Sequence, residues 1–574
     1  MLSAKEFLKD ARLNLEFKRP LIDALKPWKL NTYVDILVVV DTAISTDPAN
    51  DFGIASVIEL IRNSAVGCMR FRVDIALRNG ETPPHVVAAP TIHQPKYRGF
   101  RFNMMNGATS VIDKYEQIWC FGFNPSNSGN PSDAEIDQPG AFPASDAELL
   151  KLSQWMQDKK GGLFGTGDHH FLGASMCRRI PRLGTMRRWT NADGVPPIGS
   201  PARIDTLRPP SPAFEPGAPG GPLPLNNSPH QGDLTPQPIQ WVTWQSSFWP
   251  FGIRKRPHPV LCHPTLGPID VMPDHAHEGL CVDTAAVPLG SSYNFGGGAQ
   301  PEYPNAIDGG PRPTPLVIAY GSNLGDPPYN FSKGPQPART SNPMISVYDG
   351  HRAGVGRVAT DSTWHHWMDV NIDNMKAVNN DDWKKISRYF INLAVWLNPP
   401  GFSTRCLYLS AVVSHFEYPG FQEFVPGLST RELGRSLRSH LIKYYGPCWV
   451  TEHIWDIIWE RKLLPFEILT KLKPQVDQPD IDPDIFEETV LGTLVEATMK
   501  QAEVIKRAAC VTIAQVNGPA ERVGPFTRAI VTHGVPDSYG MTIKWVWFEQ
   551  LSWLLSRFRR WSRNATAQFR DEPP

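Results

Sequence analysis

The 574-residue chain carries no net charge, with 57 Lys and Arg against 57 Asp and Glu, so no bulk field draws it onto nucleic acid and no such partner is expected. No apolar run is long enough to span a membrane. The first ten residues mix charge with apolar side chains and lack the continuous apolar stretch of a signal peptide. A cytoplasmic protein is expected. The eight cysteines (68, 120, 177, 262, 281, 406, 448 and 510) form no C-x-x-C pair, which favours free thiols in a reducing compartment over a disulfide framework or a zinc ribbon. Also missing are the Gly-x-Ser-x-Gly of a serine hydrolase, the His-Glu-x-x-His of a zinc protease and the Gly-Lys-Ser/Thr of a P-loop. The run Gly162-Leu-Phe-Gly-Thr-Gly167 does not match Gly-x-Gly-x-x-Gly, so nucleotide binding is not expected.

What is present in excess is proline, 56 residues, and tryptophan, 18 residues, which together imply long ordered loops with aromatic anchors. The length exceeds that of one core. Residues 1–32 read as a helical extension, with one or two short amphipathic helices over 3–28. Residues 34–41 form a β-branched run, the pattern of a strand buried on both faces. A helix over 54–63 and an alternating strand over 69–77 complete a βαβ unit with a right-handed crossover. A third strand follows at 116–123, and Ser145-Asp-Ala-Glu148 supplies a capping box for a helix through Lys159. Strands alternating with helices at this spacing predict an α/β domain over 33–400 with a doubly wound, mostly parallel sheet.

Residues 191–313 are rich in Pro, Gly, Ser and Asn and read as an insertion lying as a lid over the mouth of the site. Strands are expected again at 315–320, 344–348 and 356–361, then a helix over 381–397. Residues 401–574 read as an α-helical C-terminal domain with helices at 430–445, 449–472 and 483–515. A last helix at 543–563 interleaves Trp545, Trp547, Trp553 and Trp561 with Arg557, Arg559, Arg560 and Arg563. It is expected to pack against this domain, a copy of the chain or a protein partner, in preference to a membrane surface.

The chemistry gathers around Gly161-Gly-Leu-Phe-Gly-Thr-Gly-Asp-His-His170, a short buried strand running into a tight polar turn. Open α/β sheets place reactive groups at such strand ends. Two further clusters, Asp274-His-Ala-His277-Glu278 and His365-His366, bring six of the sixteen histidines into three groups. Asp168, His169, His170, His365 and His366 are the expected catalytic residues, as acid–base groups. Asp168, His169, His275, His277 and His365 are candidate ligands for a divalent zinc, iron or manganese ion, because imidazole and carboxylate suit these metals. Arg178, Arg187 and Arg188, from a run of five arginines in eleven residues, are candidate clamps for an anionic substrate. Asp41, at the end of the first strand, and Glu278 join them as expected substrate contacts. Cys177 falls too late in the chain to occupy a nucleophile elbow, so covalent cysteine catalysis is not expected.

The strand end 161–169 resembles the Gly-Gly-apolar-x-Gly-x-His segment of the ThuA-like (trehalose-utilisation) family, a branch of the class I glutamine amidotransferase-like superfamily. Gly356-Arg-Val358, with His365 and His366 after it, is similar to that family's Gly-Arg-Val strand and following histidine. The resemblance spans residues 33–397 and leaves out the proline-rich insertion. It implies a flavodoxin-like sheet, no glutamine-hydrolysing cysteine, and a role in small-molecule, often sugar, metabolism. The chain departs from the pattern by placing Asp168 before the histidine and by doubling the histidines.

The expected function is a cytoplasmic enzyme acting on a small polar or anionic, sugar-like substrate by hydrolysis, elimination or isomerisation. The rival expectation is a non-catalytic scaffold whose degenerate α/β domain assembles, with itself or a partner, through the Trp/Arg-rich C-terminal helices.

Overall fold

The computed structural model describes residues 32–124, 136–137, 139–168, 171–190, 193, 236–249, 252–273, 279–307, 309–323, 340–402, 406, 430–460, 484, 487–493 and 495. The helices expected over 3–28 and 543–563, together with His169, His170, His275, His277 and Glu278, lie outside the described residues.

Strand β1, Thr32–Asp41, is followed by α1, Ala55–Asn63, and β2, Met69–Arg78. Then come β3, Gln117–Phe121, helix α2, Asp146–Asp158, and β4, Gly162–Thr166. After the insertion the chain adds β5, Leu316–Asn323, β6, Thr340–Tyr348, and β7, Val358–Asp361. Helices α3, Asp369–Val378, and α4, Asp381–Trp396, close this part of the chain. The protein is thus mixed α/β around a mostly parallel central sheet, as expected. Five long strands lie side by side in the order β2-β1-β3-β4-β7, all parallel. Strands β6 and β5 extend the β7 edge in antiparallel fashion.

Both faces of this sheet are covered, which is why its strands read as near-continuous apolar runs. Val34, Ile36, Val38 and Val40 of β1 pack with Val57, Ile58 and Ile61 of α1 and with α3 and α4. Leu37 and Val39 point the other way and pack with Leu149, Leu152 and Trp155 of α2. The capping box of α2 forms as read: Ser145 Oγ accepts from the Glu148 amide, and Glu148 Oε2 accepts from the Ser145 amide at 2.9 Å. Glu148 also pairs with the buried Arg78 at 2.6 Å, tying the start of α2 to the end of β2. Helix α1 has no cap of its own. The Asp369 carboxylate, from the start of α3, accepts instead from the amides of Ala55 and Ser56 at 2.9 and 2.8 Å.

The described residues of the insertion contribute to both cores. Its residues Val260, Leu261, Ile269 and Met272 are buried in the same core as α4, because apolar side chains of that size gain more from burial than from roofing a polar mouth. Val287, Phe295 and Tyr303 pack on the opposite, α2 face. Among its described residues, 279–282 are the part that reaches the strand ends.

Helix α5, Thr430–Tyr445, has the bounds expected from its periodicity, and α6, Pro447–Glu460, follows it. Leu433, Leu437, Leu441, Trp449, Val450 and Ile454 join the core that holds α1 and α4. The described C-terminal helices therefore share a core with the sheet. Among the described residues no helix is long and apolar enough to cross a membrane.

Candidate active site

Parallel strands deliver all their carboxyl ends to one edge, and the register decides which residues meet there. Thr166 of β4 lies opposite Asp361 of β7. Two residues further along each chain, Thr363 Oγ1 donates to Asp168 Oδ1 at 2.7 Å. The Thr363 hydroxyl also accepts from the His365 amide at 3.1 Å, and so starts the short helical turn Trp364–His366. That turn sets His365 Nε2 3.4 Å from Asp168 Oδ2. The His365 ring lies flat on Trp364, with centroids 4.3 Å apart, and Trp364 in turn meets Phe123 beyond β3 edge to face. Two of the three histidine clusters expected to converge carry described residues on this edge, through Asp168 and His365.

Asp361 organises a second pair. Its carboxylate accepts from His366 Nδ1 at 2.8 Å, from Tyr389 Oη at 3.0 Å and from Trp367 Nε1 at 3.3 Å. A carboxylate against Nδ1 places the proton of the uncharged imidazole on that nitrogen. Burial and the adjacent Asp361 charge push the Tyr389 hydroxyl well above its ordinary value, which keeps it a donor. Asp168, Asp361, His365 and His366 are all buried.

Arg187, expected as a substrate clamp, lies fully inside the protein. Its Nη2 donates to the carbonyls of Asp168 and Ser362 at 2.6 and 2.7 Å, and its Nε to that of Asp361 at 3.2 Å. One guanidinium therefore fastens the turn after β4 to the turn after β7. Gly279 presses against this junction so closely that an added Cβ would stand 1.8 Å from the Ser362 carbonyl.

Of the other expected substrate contacts, Arg178 forms an ion pair with Asp137 at 2.7 Å, and Arg188 is half-buried with its amide on the Leu280 carbonyl. Asp41 Oδ2 accepts from the amides of Phe123 and Asn124, holding the end of β1 to the loop after β3. Cys177 is buried beside Cys120; burial first, and that neighbour second, push its thiol well above the ordinary value. A thiol in that state is a poor nucleophile.

Thr363, Trp367 and Tyr389 were not among the residues the sequence singled out. Thr363 carried a usable signal, a hydroxyl two residues ahead of a histidine and placed to cap a turn. Tyr389 carried none, since on the buried face of α4 it reads as one more core aromatic. Among the described residues no group of three or more His, Cys, Asp or Glu is arranged to hold a metal ion. No protein-family model, curated protein or solved structure matches the chain.

Proposed function

We propose that the chain is a cytoplasmic enzyme acting on a small polar or anionic substrate by hydrolysis, elimination or isomerisation. The observation that carries this reading is the placement of two His–Asp pairs, His366 with Asp361 and His365 with Asp168, on consecutive residues at the carboxyl edge of a parallel sheet. In this reading His366 is the general base, while Asp361 fixes its orientation and stabilises the imidazolium formed when it takes a proton. Asp168 and His365 then act on the other side of the reaction, as proton donor or as part of a metal seat. In the second role Asp168 and His365, 3.4 Å apart, would be two of the ligands, and the ion would polarise the substrate or a water. His169, His275 and His277 are the proposed remaining ligands for zinc, iron or manganese.

The strand order β2-β1-β3-β4-β7 has the form 2-1-3-4-5 of a flavodoxin-like sheet, which supports the expected flavodoxin-like fold, and a sugar-like substrate follows only from the resemblance to the ThuA-like family. The test is a panel of sugar phosphates, uronic acids and small esters, run with wild type, His366→Gln and His365→Gln. Turnover found in the wild type should fall on the order of 10²–10⁴-fold in His366→Gln. Undiminished turnover in both folded variants refutes the assignment.

A second reading, a scaffold that assembles through its C-terminal helices, is favoured by one observation. Asp361 is already saturated by donors from within the protein. Truncation at Gly540 separates the two readings: an enzyme keeps its turnover, whereas a scaffold loses its assembly in sedimentation.

A further inference from the structure

Seven cysteines are described, all as free thiols and all buried. Six of them nevertheless stand in three neighbouring pairs: Cys68 with Cys406, Cys120 with Cys177, and Cys262 with Cys448. The members of each pair are remote in sequence, so each pair joins separate pieces of the fold. Cys68 Sγ stands 3.2 Å from Cys406 Sγ.

This pair has the setting of a cross-link. Cys68 lies in the turn that opens β2, after Gly67 at φ +54°, and its carbonyl accepts from the Thr32 amide at the head of β1. Cys406 belongs to the chain that has just left α4, and nearby Asn398 already reaches back to the Met69 sulfur at 3.6 Å. The Tyr445 hydroxyl, from the end of α5, stands 3.9 Å from Cys68 Sγ. Cys68 retains 8 % of its surface, against 2 % or less for the other five, which makes it the point of entry for a reagent. The Cys406 thiol beside it, helped by Tyr445, holds the Cys68 thiol below its ordinary value and so favours the reactive thiolate.

We propose that Cys68 and Cys406 are a redox-modification site, forming a reversible disulfide that fastens the chain leaving α4 to the head of β2. The oxidant is a small-molecule disulfide of the glutathione class. The Cys68 thiolate attacks one sulfur of the small disulfide and expels the other as a thiolate. Cys406 gives its proton to that thiolate, and its sulfur then attacks Cys68, expelling the second small thiolate. Two protein thiols are oxidised by two electrons, and one small disulfide is reduced to two thiols. The link does not depend on the proposed enzyme activity.

The test uses the full-length wild-type chain, equilibrated with reduced and oxidised glutathione from fully reducing to fully oxidising ratios. Remaining thiols are blocked with an alkylating agent, and peptides are mapped by mass spectrometry without reduction. The expected result is a Cys68–Cys406 cross-linked peptide, two hydrogens lighter than its parts, in most chains at the oxidising end and absent after dithiothreitol. Cys406→Ser should leave Cys68 carrying glutathione as a mixed disulfide. Both cysteines recovered as alkylated thiols at every ratio would overturn the proposal. So would cross-links distributed without preference among all the cysteines.

Discussion

His366 is held through Nδ1 by both oxygens of Asp361, at 2.8 and 2.9 Å, with the two side chains wholly inside the protein. Replacing Asp361 by Asn presents an amide where Nδ1 needs an acceptor. The imidazole then moves its proton to Nε2 or loses its anchor, and either change removes the base. Asp361→Asn should lower turnover on the order of 10²–10⁴-fold. A fall in thermal stability with an unchanged rate per folded molecule would mean that the pair serves only the fold.

Elemental analysis settles what Asp168 and His365 do. Protein prepared without a histidine tag should carry zinc, iron or manganese near one ion per chain if these two residues are ligands, and Asp168→Asn and His365→Ala should both lose it. A wild-type chain free of metal assigns the pair to proton transfer instead.

Arg187 is predicted to be a stability residue with a functional consequence. Arg187→Met strips donors from the carbonyls of Asp168, Asp361 and Ser362, all buried. Hydrogen bonds to charged groups contribute about 1.5–3 kcal/mol each, so the loss should be at least about 3 kcal/mol, read as a lower urea midpoint. Arg187→Lys, which cannot fork between two turns, should recover only part of it. An unchanged midpoint in Arg187→Met would remove the fastening role.

The Asp369 carboxyl is pushed up to about 7 by burial, against the amides of Ser56 and Ala55, which pull it down. In the unfolded chain it titrates near about 4. Between those values the folded protein retains a proton that the unfolded chain has released. This group's contribution is therefore complete below about pH 4 and is lost as the pH rises through its folded value. Urea midpoints measured across this range should fall less steeply with rising pH in Asp369→Asn than in wild type. Parallel curves would count against it.

Local patterns carried most of the sheet into view from the sequence. The β-branched run of β1, the capping box Ser145–Glu148 and the apolar face of α4 each depend on neighbours within a few residues, and each was legible. The meeting of Asp168 with Thr363 spans 195 positions and depends on Thr166 lying opposite Asp361. Strand register of that kind leaves no trace in either segment alone. The core contribution of the insertion was hidden for a related reason. Val260, Leu261, Ile269 and Met272 are too few and too irregularly spaced to show a period, yet together they find the core.

The carboxylate of Asp369 at the head of α1 bears on which ligands can come where. In doubly wound sheets the first strand-to-helix turn is where a free phosphate or carboxylate finds unpaired amides. Here those amides are already taken by a carboxyl group of the same chain. A weakly held anion should therefore find no open Ala55 or Ser56 amide at the β1–α1 turn. The proposed enzyme reading is thereby left with the ends of β4 and β7, two strands away.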